Sequence, residues 1–235
     1  KQVLYHIKKN PHFVGPISRR NEVISFIEQG LKDISISRPD VEWGIPLPVD
    51  KKHSFWVWFD ALLNYISGAP KYWPAQLQLM GKDIIKFHCV IFPAMLLSAG
   101  YKLPEKLFAH GFLTRDGQKI SKSLGNGVDP LYIAKTYGVD TLRYYLLREI
   151  SFGEDGDFSE EKLKNRLNNE LNNDLGNLIS RVLTLTERNF KELKKVSVDS
   201  TLTKQFDLQK IKKYIDDLEL HNALSEIWKF IHAVN

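Results

Sequence analysis

The sequence is poor in cysteine, because its 235 residues include only Cys89. An internal disulfide is therefore excluded, and so is a zinc site made of four thiolates. No apolar run reaches the roughly 18 residues that span a bilayer. The first residues, Lys1-Gln2-Val3-Leu4, do not have the pattern of a signal peptide. We therefore expect a cytoplasmic protein with no membrane partner.

Strong charge of one sign is also missing. Hydrophobic residues make up 43% and charged residues 26% of the chain, which is ordinary for a folded protein. The net charge is +5, and the positive excess lies in residues 1–150, since residues 151–235 are slightly acidic. A basic protein often has a polyanionic partner. The uneven distribution argues against a simple basic clamp in the C-terminal part.

The first half of the chain has the sequence pattern of an α/β protein. Residues 39–54 contain three prolines and a glycine and are predicted to form loops and turns. Pro93 is expected to kink the apolar, helix-length segment 84–97 or to lie near a break in it. Three short segments have the composition of buried strands, namely residues 55–59, 77–81 and 106–111. Strands separated by helical segments predict parallel β-α-β units in an open sheet.

After Asp157 the pattern becomes helical. Apolar residues recur at three- or four-residue spacing in three stretches, namely residues 163–182, 206–218 and 223–234. Ser159 is a suitable start for the first helix. The third helix has no stop signal at Asn235, so we expect it to continue in a longer chain. Three amphipathic helices joined by short links predict a bundle.

The sharpest motif is Lys119-Ile120-Ser121-Lys122-Ser123, between Gly117 and Gly125. Two lysines and two hydroxyls can surround a phosphate chain, and the ammonium groups can stabilise charge on leaving pyrophosphate. A mobile loop would let them tighten in the transition state. A solvated basic turn is the alternative interpretation of so short a motif.

This motif resembles the Lys-Met-Ser-Lys-Ser signature loop of class I aminoacyl-tRNA synthetases, with Ile120 in place of methionine. Residues 126–130 and 137–143 resemble the stretch after that loop in the methionine, leucine, isoleucine, valine and cysteine enzymes. The resemblance implies catalytic roles for Lys119 and Lys122. It also implies that both lysines, Ser121 and Ser123 bind ATP, accompanied by Mg²⁺.

Two further segments resemble the methionyl-tRNA synthetases, namely Trp58 to Tyr65 and Gly81 to His88. The resemblance implies that Asp83 holds the ammonium group of methionine. The other implied contacts with methionine are Trp58, Ala61, Tyr65, Ile84, Phe87 and His88. Aromatic walls suit a thioether, because sulfur contacts ring edges favourably. Taken alone, these residues would also fit core aromatics, a core histidine and a helix N-cap at Asp83.

Two weaker matches complete the resemblance. Asn177 and Arg181 lie in a segment similar to the anticodon-reading helix of the methionyl enzymes, and their spacing of four places them on one helix face. An amide and a guanidinium can read base edges and stack on a splayed base. Arg38 lies in a segment similar to one near the family's active site, which implies a contact with ATP phosphate or the substrate carboxylate.

The His-x-Gly-His motif of the family is missing, and so is most of the connective insertion, so no zinc site is expected here. We expect a fragment: residues 1–114 as the second half of a Rossmann-type catalytic domain, 115–155 as signature loop and connecting region, and 156–235 as an all-α anticodon-binding bundle. The implied reaction is ATP-dependent charging of tRNA(Met) with methionine, with this chain inactive alone. The alternatives are another class I synthetase, for leucine, isoleucine, valine or cysteine, or a non-catalytic tRNA-binding module.

Overall fold

The structure is a computed structural model that describes residues 1–121, 125–192 and 200–235. The chain divides into two compact units, Lys1–His110 and Gly111–Asn235. The first unit mixes short strands with helices, and the second is mainly helical. Each unit has its own hydrophobic core.

The first unit contains five α-helices and six strands. The helices are α1 (Gln2–Lys9), α2 (Ile17–Glu28), α3 (Val57–Ala61), α4 (Asn64–Ser67) and α5 (Phe92–Ser98). The strands are β1 (Val14–Gly15), β2 (Ser37–Pro39), β3 (Pro46–Leu47), β4 (Asp50–Phe55), β5 (Gln78–Gly81) and β6 (Leu107–His110). A 3-10 turn forms at Pro70–Tyr72 and another at Lys82–Ile84.

A parallel sheet of order β1-β6-β5 is the centre of this unit. Its buried side chains pack against α1, α2 and the helical segment that follows β5 in one core, which includes Ile7, Val23, Met80 and Leu107. The predicted strands at 77–81 and 106–111 and their parallel pairing are confirmed. β1 was not predicted, because two residues are too short to show a periodicity.

The prediction for residues 39–59 was wrong in two places. Residues 46–55 are not only loop, since β2, β4 and β3 form an antiparallel sheet in that order. The aromatic segment 55–59 is not a strand, because β4 ends at Phe55 and α3 begins at Val57. The physical reason is that Pro39 and Pro46 lie at the ends of the two outer strands, where a missing N–H is tolerated, and Pro48 lies in the turn between β3 and β4. Aromatic composition alone does not separate a strand from a short helix.

The segment after β5 is helical as predicted, but it is not a uniform α-helix. A π-helical turn, Phe87–Ile91, leads directly into α5, and Pro93 lies in the first turn of α5. Proline is tolerated at that position because the first helical N–H groups have no intrahelical partner. Pro93 therefore lies next to the change from π-helix to α-helix, in agreement with the prediction that it lies near a break.

Cys89 lies on this π-helical turn and is buried in the core of the first unit. Burial, with a smaller effect from Glu22, raises the pKa of its thiol to about 12. Because the thiolate is the reactive species, we expect Ellman's reagent to leave Cys89 unmodified at pH 8 in the native protein. Full modification should follow denaturation in guanidinium. Rapid labelling of the native protein would contradict this burial.

The second unit begins with a small three-stranded sheet. Its strands are β7 (Leu113–Arg115), β8 (Gln118–Lys119) and β9 (Gly156–Asp157), with β7 antiparallel to β8 and parallel to β9. The helices are α6 (Pro130–Tyr137), α7 (Val139–Glu149), α8 (Glu160–Asn165), α9 (Asn177–Asn189), α10 (Ser200–Thr203), α11 (Leu208–Asp216) and α12 (Leu220–Val234).

The three predicted helical stretches are confirmed. Ser159 caps α8 by accepting from the Lys162 N–H. α8, a π-helical stretch Arg166–Gly176 and α9 follow one another without a break, and the second and third stretches are α11 and α12. No helix within the described ranges 1–121, 125–192 and 200–235 is long and apolar enough to cross a membrane.

Candidate functional site

Asp83 follows directly on β5, in the 3-10 turn Lys82–Ile84. This is the carboxyl end of a strand in a parallel sheet, the edge at which open α/β sheets bind their ligands. A Cβ at Gly81 would lie 2.6 Å from a carboxylate oxygen of Asp83. Glycine at position 81 therefore leaves room for the carboxylate, which is exposed to solvent.

An aromatic cluster forms beside this turn. Trp58 on α3 stacks on Phe87, with 4.3 Å between ring centroids and 6° between planes. His88 meets Trp58 edge-on at 6.5 Å and Tyr65 at 5.7 Å. The structure thus brings together four of the residues that the sequence assigned to one pocket. Such offset and perpendicular ring contacts are the favourable geometries for aromatic groups.

His88 has a defined hydrogen-bonding state. It is 3% exposed, and its Nδ1 lies 3.1 Å from the Ile84 carbonyl oxygen. A carbonyl only accepts, so Nδ1 carries the proton and Nε2 of the neutral ring is an acceptor. The Tyr65 hydroxyl, 3.0 Å from Nε2, therefore donates to it. Both ring nitrogens are satisfied inside the protein.

Burial lowers the pKa of His88, and the hydrogen bond with the Ile84 carbonyl only partly opposes that effect. The ring is therefore neutral at pH 7. Below its ordinary value of about 6.5, the unfolded chain binds a proton that the folded chain does not. Folding stability from this group is therefore complete above that pH and is lost as the pH falls below it.

We accordingly expect thermal stability to fall between pH 7 and pH 5, and to fall less steeply in His88→Gln. The measurement is the melting temperature at several pH values. The matched control is His12→Gln, since His12 is exposed, and its profile should follow the wild type. An equally steep loss in His88→Gln would show that other groups cause the pH dependence.

The remaining predicted pocket residues lie in the same unit. Ala61 ends α3, and Ile84 supplies the carbonyl that fixes His88. A cavity of about 1140 Å³ lies nearby, and its lining includes Asp83, Phe87, Trp56 and Met95. Within residues 1–110, all of which are described, its lining does not include Trp58, Ala61, Tyr65, Ile84 or His88. Of the predicted pocket residues, Asp83 and Phe87 line this cavity.

Arg38 lies on β2 and is held close to the aromatic residues. Its guanidinium carbon is 4.4 Å from the ring centroid of Trp56, which itself contacts Phe87 edge-on at 5.7 Å. Nη1 of Arg38 donates to the carbonyls of Ser35 and Ser37. These contacts hold the guanidinium of Arg38 over Trp56, which in turn contacts the aromatic cluster through Phe87.

In the second unit, the signature motif follows the β7–β8 hairpin. The Lys119 ammonium nitrogen lies 4.3 Å from the ring centroid of Phe112. The Ser121 N–H donates to the side chain of Asn126. Lys122 and Ser123, which the sequence assigned to the same loop, lie outside the described residues.

Asn177 and Arg181 are exposed on α9, one turn apart. Arg181 Nη1 donates to the backbone oxygen of Asn235 at 3.4 Å. Trp228 on α12 is buried, and its ring centroid lies 4.7 Å from that of Tyr144.

Sequence reasoning missed a polar seam between α7 and α12. Three contacts join the two segments in antiparallel order. The ring of Tyr144 packs against Trp228, Arg148 donates to Ser225, and Ser151 is hydrogen-bonded to His221. The three α12 residues have i, i+4 and i+7 spacing and lie on one face of that helix. Tyr144 and Arg148 lie one turn apart on α7, and Ser151 lies just beyond the end of that helix. The sequence contains this spacing, but a prediction based on apolar stripes does not detect polar residues that pack between helices.

Glu170 completes this seam from the π-helical stretch. It accepts from the Tyr144 hydroxyl and from Arg166, and it pairs with Arg148 at 3.3 Å. Arg166 also binds Glu149 through two nitrogens. The Glu170 side chain is only 13% exposed, so the network is a largely buried charge cluster.

Comparison with known proteins gives a consistent result. The family model for tRNA synthetases class I (M) matches residues 1–183. The Thermotoga maritima methionine–tRNA ligase is 47% identical over 249 residues, covering 99% of this chain and 40% of the relative. The Caldanaerobacter subterraneus enzyme is 46% identical, covering the whole chain and 39% of the relative.

Solved structures agree with this. The Mycobacterium tuberculosis methionyl-tRNA synthetase in complex with methionyl-adenylate matches with a TM-score of 0.90 and 44% identity, over 98% of this chain and 49% of that one. An apo form of the same synthetase gives a TM-score of 0.86. The chain thus spans less than half the length of these relatives, and their fold is of mixed α/β and helical content.

Proposed function

The chain belongs to the class I (M) family of tRNA synthetases, and from that premise we propose that the protein containing it charges tRNA(Met) with methionine. The first step forms methionyl-adenylate and pyrophosphate from methionine and ATP. The second passes the methionyl group to the terminal ribose of the tRNA. The activity is proposed for the longer protein, since the chain covers only 39–40% of these curated relatives.

One observation carries the substrate assignment. Asp83 stands at the carboxyl end of β5, and Phe87 and His88 follow it on the next helical turn, against Trp58 and Tyr65. A carboxylate beside an aromatic surface suits an amino acid with a positive ammonium group and an apolar side chain. We assign the ammonium to Asp83, through a charge-assisted hydrogen bond.

The side-chain preference follows from the state of His88. Its two nitrogens are occupied by Ile84 and Tyr65, so the ring offers no unpaired donor or acceptor to a ligand. The walls formed by Trp58 and Phe87 are aromatic. A thioether needs no strong hydrogen bond and gains from contact with ring edges. Ala61 and Ile84 supply the remaining apolar surface in this proposal.

Lys119, Ser121, Lys122, Ser123 and Arg38 are assigned to ATP in the activation step. A carboxylate oxygen of methionine attacks the α-phosphorus, the bond to the bridging oxygen breaks, and pyrophosphate leaves. Negative charge grows on the leaving group, so the lysine ammonium groups lower the barrier by stabilising it. We assign Lys119 and Lys122 as the catalytic residues.

Mg²⁺ fits this scheme as a partner of the ATP phosphates. No group of three histidine, cysteine or acidic side chains that could hold a metal ion occurs among the described residues. Mg²⁺ characteristically keeps several waters and binds substrate phosphates with few protein ligands. When bound, the ion would share the charge of the phosphates with the lysines.

For the tRNA, we propose that α8 to α12 belong to an all-α anticodon-binding domain, with Asn177 and Arg181 reading anticodon bases. Both side chains are exposed on one face of α9, as base readout requires. The parallel sheet β1-β6-β5 is proposed as the second half of a Rossmann-type fold. A cytoplasmic enzyme of protein synthesis is the proposal that unites these assignments.

The test is aminoacylation by the full-length protein, with each radiolabelled amino acid offered in turn and total tRNA as acceptor. We expect only methionine to be attached, and only to tRNA(Met). Attachment of leucine, isoleucine, valine or cysteine would keep the family but overturn the pocket assignment. Binding of tRNA without any charging, by a folded protein, would favour a non-catalytic module.

A further inference from the structure

Asn126 folds back onto the first part of the signature motif. Its Oδ1 accepts from the Ser121 N–H at 2.9 Å, and its Nδ2 donates to the Lys119 carbonyl at 3.2 Å. Gly125, directly before it, has φ of +63°, a left-handed conformation that favours glycine. The side chain of Asn126 thereby contacts the backbone five to seven residues upstream.

These two hydrogen bonds fix the backbone beyond the point where the strand pairing of the hairpin ends. β8 ends at Lys119, where its pairing with Thr114 of β7 stops. The Asn126 amide binds one acceptor, the Lys119 carbonyl, and one donor, the Ser121 N–H, as a neighbouring strand would. An amide is the neutral side-chain group that offers both at once with this planar geometry.

The other end of the hairpin is anchored separately. Asp157 accepts from the Thr114 hydroxyl at 2.6 Å and from the Gly117 N–H at 2.9 Å. The Lys119 ammonium rests over the Phe112 ring at 4.3 Å. The backbone of Lys119 therefore lies between the Asp157 anchor of the hairpin turn and the Asn126 bonds beyond it.

We propose that Asn126 is a positioning residue for the activation step. Its amide fixes the backbone from Lys119 to Ser121, and so sets the direction in which Lys119 is presented to the ATP phosphates. This rests on the proposed function. Since Lys119 acts on charge that develops in the transition state, losing its alignment lowers kcat more than it weakens methionine binding.

The experiment uses the full-length protein with Asn126→Ala and measures methionine-dependent ATP–pyrophosphate exchange. We expect kcat to fall about tenfold or more, since small misplacements of catalytic groups have effects of that size. The KM for methionine should stay within about twofold, because Asn126 is assigned no contact with methionine. Hydrogen–deuterium exchange should become faster at the Ser121 amide, which loses its acceptor.

Two further variants make the result specific. Asn189→Ala is the matched control, because Asn189 also donates to a backbone carbonyl, that of Leu185, at 2.7 Å. Its kcat should equal that of the wild type. Asn126→Ser has a side chain too short to make both bonds, and it should show the same loss of kcat with an unchanged melting temperature. The positioning role can therefore be tested even if the alanine variant misfolds.

Unchanged kcat in the Asn126 variants, beside a wild type that exchanges normally, would overturn the positioning role alone. Unchanged protection of the Ser121 amide would overturn it as well. A wild type that shows no exchange with methionine would instead overturn the proposed function and this role with it, so the two failures are distinguishable.

Discussion

Asp83→Asn should reduce kcat/KM for methionine activation by about 10²- to 10³-fold, measured by ATP–pyrophosphate exchange on the full-length protein. Asparagine keeps the size of the side chain but loses the charge that pairs with the substrate ammonium. Truncating one partner of a charge pair that is desolvated in the complex costs about 2–5 kcal/mol, or roughly 30- to 5,000-fold, and the expected loss lies within this range. The melting temperature should hardly change, because Asp83 is exposed.

Asp60→Asn is the control for this experiment. Asp60 is also exposed and lies in α3 between Trp58 and Ala61, so it tests whether any nearby negative charge suffices. Its kcat/KM should stay within about threefold of the wild type, because a solvated charge contributes little. If the two variants lost the same activity, the specific role of Asp83 would be wrong.

Glu170→Ala should destabilise the protein by about 3–5 kcal/mol, the usual cost of removing one partner from a buried ion pair. The variant leaves Arg166 and Arg148 without their shared carboxylate and the Tyr144 hydroxyl without its acceptor. The measurement is unfolding in guanidinium, followed by tryptophan fluorescence, to which Trp228 beside Tyr144 contributes.

Glu160→Ala is the matched control, because Glu160 makes a similar set of contacts at the surface. It accepts from the Tyr137 hydroxyl and pairs with Lys164, but its side chain is 39% exposed. Surface pairs of this kind contribute about 0–1 kcal/mol. Equal destabilisation by the two substitutions would show that the burial of Glu170 has no energetic consequence.

The parts of the fold that could be predicted from the sequence are those with a sustained period. The helices after Asp157 have apolar stripes over several turns, and β5 and β6 are short apolar runs bounded by polar residues. The sheet of β2, β4 and β3 could not be predicted, because β2 and β3 have only three and two residues and β4 is mostly polar. Their formation depends on pairing between distant residues.

The site shows the same division. The motifs named Trp58, Tyr65, Phe87 and His88, and the structure places these rings in contact. The hydrogen bonds that fix the state of His88 were not predictable, because they depend on the π-helical turn and on the placement of α4. The Asn126 contacts depend on a tight turn whose φ angle the sequence only suggests through Gly125.

The most direct test of the central claim is ATP–pyrophosphate exchange by the full-length protein across all twenty amino acids. The aromatic cluster and Asp83 predict exchange with methionine alone. Exchange with leucine, isoleucine, valine or cysteine instead would contradict the roles given to Trp58, Tyr65 and His88. A folded protein that exchanges with no amino acid would contradict the proposed activity itself.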